Sequence, residues 1–451
     1  MACLCLSLAV YGCGGGSQRT PTTSLAAAAS ARAAAVVADI SVGTNPYHEV
    51  FRRPAWTEHP CKVIAGFPCD APALNLTLGG NYAADLAADS ASWASYKPGI
   101  VYWVPGTNLL LLTLRSVAPV LCSGECDLKD GYGGPSASHG IATSGAAAAA
   151  CADCYVLVIQ DAPAADGNAV EYVASQLPWV DFLAGTNLSG AGNPFDTSNF
   201  ALENYQQPTQ HLADSGRLFF AASGDDAVTA SYDGAVGPGY SLPPWVVTVG
   251  GMTATNPFPD SLAKDCNAID VLSGAPAEIL GAFSQNLPTP ETVDGYKIQR
   301  GTSFAAPQMA AYFGQALARV RQRLGDTRAD GALWAGAPQA SGWLQDGVLT
   351  AVEMRGVFSQ AAHYFQPSEF SAACEAEMDQ KFLAMTSIPV SQRPVSATPW
   401  VDMGWGYVGP QETALSTAAL LGAATLAPKQ DAALAYMDGF MSARENLFPI
   451  P

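Results

Sequence analysis

The sequence predicts an α/β fold of three layers, a mostly parallel central sheet flanked by helices. Three observations predict it. Strand-like and helix-like segments alternate between residues 100 and 324, the pattern of strands joined by helical crossovers. The chain of 451 residues is 49% hydrophobic and 13% charged, enough apolar material for a full core. A Gly-led turn at Gly301 opens a long apolar helix, the usual punctuation of such a fold.

In order, residues 100–104 and 108–115 read as strands, and 141–150 as an Ala-rich helix. Residues 155–160 form an apolar run of strand length, and 169–176 follow a helical pattern. A strand is expected at 180–183, a helix within 200–215, and strands at 217–222 and 245–249. The long helix runs from Ser303 to about residue 324. No internal repeat is visible.

The amino-terminal part is different. Residues 4–11 are apolar and are followed by Gly12-Cys13-Gly14-Gly15-Gly16-Ser17. This resembles a bacterial lipoprotein signal, which implies lipid attachment and membrane anchoring at Cys13. No Lys or Arg precedes the apolar run, so a plain leader is the alternative. The expected divisions are a leader at 1–13, an Ala/Ser/Thr-rich linker at 14–45, a loop-rich extension at 46–99, and the main domain at 100–451. The extension packs on the edge of that domain or is a pro-segment. No other stretch approaches the ~18 apolar residues that span a membrane.

A net charge of -18 argues against nucleic acid as a partner. Of eleven cysteines, Cys3, Cys5 and Cys13 fall in the leader. The rest form an even set: Cys61 with Cys69, Cys122 with Cys126, Cys151 with Cys154, and by elimination Cys266 with Cys374. That set suggests disulfides and an oxidising compartment. Zinc held by Cys122, Cys126, Cys151 and Cys154 is the alternative.

The chemistry centres on Gly301-Thr302-Ser303-Phe304-Ala305-Ala306-Pro307. This turn delivers Ser303 to the first turn of a helix, where backbone N–H groups and the positive dipole end gather. A Ser there can attack a carbonyl while its own N–H holds the oxyanion. An ordinary N-cap serine is the structural alternative.

The heptad closely resembles the nucleophile motif of the subtilases. Ser138-His139-Gly140-Ile141-Ala142-Thr143-Ser144-Gly145 resembles their histidine motif, which implies His139 as general base. Asn187-Leu188-Ser189-Gly190 resembles the substrate-binding strand end, with Ser189 and Gly190 pairing to substrate. Phe220-Ala221-Ala222-Ser223-Gly224-Asp225 resembles the strand presenting the oxyanion side chain. Trp245-Val246-Val247-Thr248-Val249-Gly250-Gly251, Ala282-Phe283-Ser284 and Gly404-Trp405-Gly406-Tyr407-Val408 follow in the family's order. The resemblance covers roughly residues 100 to 420 and implies a subtilisin-like fold.

Two departures stand out. The strand at 109–114 ends in Arg115-Ser116, where the family's first core strand ends in Asp. Asp130, and after it Asp127, are the candidates to orient His139. Asp225 stands where subtilases place Asn, as in the related sedolisins, whose helix carries Glu and Asp where this chain has His139. The resemblance implies a secreted or envelope-anchored serine endopeptidase, monomeric, acting on polypeptide substrates without cofactor or metal. A catalytically impaired scaffold on the same fold and an esterase are the rivals.

Overall fold

The computed structural model describes residues 34–114, 139–160, 166–185, 200–223, 243–252, 277–324, 349–364 and 404–429. Strands β1 (Ala35–Ser41), β2 (Tyr102–Trp103), β3 (Leu109–Thr113), β4 (Cys154–Gln160), β5 (Phe182–Gly185), β6 (Leu218–Ala222), β7 (Val246–Met252) and β8 (Ile279–Ala282) form one sheet. Their order in space is β2-β3-β4-β1-β5-β6-β7-β8. Only β2 runs antiparallel to its neighbour; the remaining pairs are parallel. A hairpin of β9 (Ser284–Pro288) and β10 (Tyr296–Arg300) forms a separate two-stranded sheet.

The helices are α1 (Tyr82–Ala88), α2 (Ser90–Ser95), α3 (His139–Ala150), α4 (Asp166–Gln176), α5 (Phe200–Asp214), α6 (Thr302–Leu324), α7 (Ala351–Ala361) and α8 (Pro410–Leu420). α3 and α6 pack together on one face of the sheet, and α6 crosses β4, β1 and β5 to β8. α4 and α5 pack against each other as the outer layer beyond β6. This is the three-layer, mostly parallel α/β architecture that the alternation of segments predicts.

The centre of the sheet is β1, which lies within the stretch 14–45 expected to be a linker. All seven of its residues are buried, and Val36, Val37 and Ile40 give it β-branched bulk. Its register aligns Ser41 with Gln160 of β4 and Ile40 with Gly185 of β5. Ala35, Val37, Asp39 and Ser41 share the face toward α3 and α6. A Cβ on Gly314 of α6 would stand 2.8 Å from Val37 Cγ2, and Thr143 of α3 reaches Asp39.

The core on the α6 face is aromatic. The Phe313 ring lies 5.9 Å from Phe182, 4.9 Å from Phe220, and stacks at 3.8 Å on Phe358 of α7. Residues 46–99 pack on the β2 edge. Leu74 N–H donates to Trp103 O, Trp103 N–H to Pro72 O, and Asn108 N–H to Phe51 O. Cys61–Cys69 and Cys151–Cys154 are disulfides with Cα separations of 5.2 and 5.4 Å, within the usual range. The second joins the end of α3 to the start of β4. Cys122, Cys126, Cys266 and Cys374 lie outside the described residues.

Two buried ion pairs fix the helices to the sheet. Arg321 near the end of α6 donates to both carboxylate oxygens of Asp181, at 2.9 and 2.8 Å, and to Ala34 O. Asp181 also accepts from Val36 N–H. Arg355 of α7 pairs with Glu278 and donates to Pro244 O and Val246 O. Removing one partner leaves a buried charge uncompensated, which costs far more than the net worth of the pair. Arg321→Ala is therefore expected to lower stability by about 3–5 kcal/mol in urea unfolding. A loss under about 1 kcal/mol would contradict this account of the pair.

Candidate active site

The carboxyl ends of the parallel strands lie level, since Ser41 pairs with Gln160, Ile40 with Gly185, and Gly185 with Ala221. Ligand sites of open α/β sheets gather at this edge. Both helices that carry the sequence candidates begin there. His139 is the first residue of α3, two positions earlier than the apolar pattern predicts, and is half-buried. Ser303 is the second residue of α6 and is also half-buried.

The start of α6 is built by Gly301. Its φ of +152° is open to glycine and strained for other residues. Its N–H donates to Phe283 O at 2.9 Å, tying the turn to the end of β8, and its carbonyl accepts from Phe304 N–H at 3.1 Å. The start of α3 depends on a second glycine. A Cβ on Gly140 would stand 2.0 Å from Gly43 O and 2.7 Å from Ser41 Oγ. Only a glycine after His139 lets α3 come this close to the end of β1.

The two helix starts converge. The His139 ring lies 5.5 Å, centroid to centroid, from the ring of Phe304, the residue after Ser303. Phe304 packs in a small apolar cluster with Ala142 and Ala146 of α3 and Leu287 of β9. The α6 amino terminus has N–H groups that no helical carbonyl can satisfy, so it favours developing negative charge.

Beneath His139 lies a buried polar cluster that the sequence reading does not include. Asp39 is fully buried and accepts a 2.7 Å hydrogen bond from Thr143 Oγ1, one helical turn past His139. Ser41 Oγ lies 3.4 Å from the same Thr143 oxygen. Thr44 Oγ1 and Ser144 Oγ lie 2.9 Å apart, and Ser144 donates to Gly140 O. The first core strand is thus β1 rather than the segment at 109–114, and it ends in Ser41, with Asp39 two residues earlier on the same face. An Asp inside an otherwise apolar strand was the available signal. Asp127, Asp130, Ser189, Gly190 and Asp225 lie outside the described residues. Strand β6, which precedes Asp225, ends at Ala222.

The β9–β10 hairpin leads directly into Gly301 and is clamped by residues 45–49. Asn45 Nδ2 donates to Pro290 O and Thr292 O, at 2.6 and 2.8 Å. Glu49 N–H donates to Val293 O at 2.7 Å. His48, fully buried, accepts from Val50 N–H at Nδ1 and therefore carries its proton on Nε2, which donates to Gly295 O. Burial pushes the His48 pKa below the usual histidine value, against the opposing pull of the Gly295 carbonyl, Glu49 and Asp294. Below about pH 6.5 the unfolded chain therefore binds a proton that the native state resists. Stability is expected to fall as pH drops from 6.5 toward the native value, and this fall should shrink in His48→Gln. Calorimetric melting at pH 7 and 5.5 checks it; an equal fall in both proteins would refute the assignment to His48.

A groove of about 830 Å³ between α3, α6 and α8 lies at the opposite ends of α3 and α6 from His139 and Ser303. It is lined by Tyr312, Arg319 and Thr413 among others, and plays no part in this constellation. No helix among the described residues is long and apolar enough to cross a membrane.

No protein-family model matches the chain, and no curated protein matches it. Among solved structures it is similar to the self-cleaved protease domain of PatA, with 13% identity and a TM-score of 0.40 over 87% of this chain and 98% of that one. It is similar to the PatG macrocyclase domain, with 13% identity and a TM-score of 0.43 over 88% and 94% of the two chains. It is also similar to a lanthipeptide protease, with 13% identity and a TM-score of 0.43 over 86% and 87%.

Proposed function

We propose that this chain is an exported serine peptidase of the subtilisin type, hydrolysing peptide bonds through an acyl-enzyme. The observation that carries the reading is the convergence of two helix starts, with His139 set against Phe304 beside Ser303. Ser303 Oγ attacks the scissile carbonyl while His139 accepts its proton. His139 then protonates the leaving amine, and water attacks the Ser303 ester in the second half-reaction. The Ser303 N–H holds the oxyanion, with Asp225 as a second donor while protonated. Ser189 and Gly190 pair with the substrate backbone. Export is supported by the two disulfides and the apolar leader.

We assign the supporting carboxylate to Asp39 rather than to Asp130. Protonating His139 at a helix amino terminus opposes the helix dipole. A buried carboxylate beneath the first turn of α3 offsets that cost, acting through Thr143 and Ser41.

One observation favours a second reading, a binding scaffold on the same fold: β1 ends in Ser41, not in a carboxylate. Peptide and ester substrates incubated side by side with the oxidised protein separate the readings. Peptide cleavage supports the peptidase, ester cleavage alone supports an esterase, and neither supports the scaffold.

A further inference from the structure

The β9–β10 hairpin presents an unusual surface. β9 is seated: Leu287 is buried with Phe304, and Pro288 lies against Gly145 of α3, where a Cβ would come within 2.6 Å. The turn is held by Asn45, His48 and Glu49 as described. Tyr296 at the start of β10 packs edge-on against His48 at 4.9 Å. β10 is thus anchored through β9 and the turn, and among the described residues its outer edge has no strand partner. Four of its five residues are exposed, and Ile298 keeps 60% of its surface in solvent. An anchored edge, unpaired with any strand among the described residues and carrying an exposed branched apolar residue, is a template for strand addition.

This edge runs straight into Gly301-Thr302-Ser303, and it is basic. Lys297 and Arg300 are exposed, and neither makes an ion pair among the described residues. They stand out in a chain of net charge -18. The acidic groups near the hairpin, Glu291, Asp294 and Glu49 (which meets the Tyr296 hydroxyl), lie at the turn end, away from Arg300. The five residues of β10 extend about 14 Å, so a paired peptide would present about four residues to them.

We infer that the outer edge of β10 receives one flank of the polypeptide substrate as an added strand. Lys297 and Arg300 then select acidic side chains within about four residues of the cleaved bond. This rests on the peptidase reading for its place in the reaction, but the binding preference stands on the hairpin itself. Lys and Arg on an edge also discourage edge-to-edge association of copies, and the test separates the two roles.

The test uses fluorogenic peptides identical except for Glu or Lys at the positions flanking the scissile bond. Two exposed charge pairs predict a kcat/KM about 3- to 10-fold higher for the Glu peptide. The Lys297→Glu/Arg300→Glu double variant should reverse that order, with the Lys peptide cut faster than the Glu peptide. An unchanged order, or no preference in wild type, overturns the inference and leaves the charges as edge protection. Fluorescence anisotropy with the Ser303→Ala protein measures peptide binding independently of turnover. If wild type cuts nothing yet Ser303→Ala prefers the Glu peptide, the peptidase reading fails and this one stands. Equal binding of both peptides overturns it.

Discussion

Ser303→Ala is expected to lower kcat on a cleavable peptide by about 10⁵- to 10⁶-fold. The side chain is half-buried and lies in the first turn of α6, where Ala is well tolerated. The melting temperature should therefore stay within about a degree or two of wild type. His139→Ala should cost a similar factor, and the double variant little more than either alone, because nucleophile and base act as a unit. Near-additive losses would mean that the two residues do not share a step. Retention of turnover in Ser303→Ala would move the nucleophile elsewhere.

Asp39→Asn is expected to have the second-largest effect on turnover. Asn preserves the size of the side chain and can still accept from Thr143 Oγ1, so the buried cluster should persist. What is lost is the negative charge bound to Thr143, which lies one helical turn past His139. At ~5–8 Å and an effective dielectric of ~20, that charge stabilises an imidazolium by about 2–3 kcal/mol. The expected loss in kcat is therefore roughly 30- to 150-fold. The pH profile gives the sign. Removing a nearby negative charge lowers the His139 pKa, so the acid limb should move to lower pH. A merely structural role for Asp39 would reduce stability without moving that limb. The matching Asp130→Asn substitution distinguishes the two carboxylates: if it moves the acid limb and Asp39→Asn does not, the role belongs to Asp130.

Much of the fold was legible because its strands are buried and its helices are rich in small residues. β3, β4, β6 and β7 are apolar runs bounded by polar residues or glycine, and the structure places them within a few positions of the sequence reading. α6 was legible from Gly301 onward. The central strand was not, for a physical reason. The composition before it is Ala-rich and without period, and Asp39 interrupts the short apolar run of Val36, Val37 and Ile40. A lone Asp argues against a strand unless a partner is known, and its partner Thr143 is 104 residues away. α7 carries a local signature, the capping box of Thr350 and Glu353, but its packing on Phe313 is a tertiary fact. The helix starts at His139 and just before Ser303 were legible from local motifs, since a helix start is a short-range property. Their approach through Phe304, and the carboxylate beneath His139, depend on the pairing of β1 with β4 and β5, which no local pattern encodes.

The central claim is that Ser303 is a nucleophile activated by His139. Its most direct test is labelling with a fluorophosphonate, followed by intact mass and peptide mapping. The account predicts one adduct per wild-type chain, located on Ser303, absent from Ser303→Ala and formed at least about 100-fold more slowly in His139→Ala. A folded wild-type chain that takes up no label, or takes it up equally fast without His139, would contradict it.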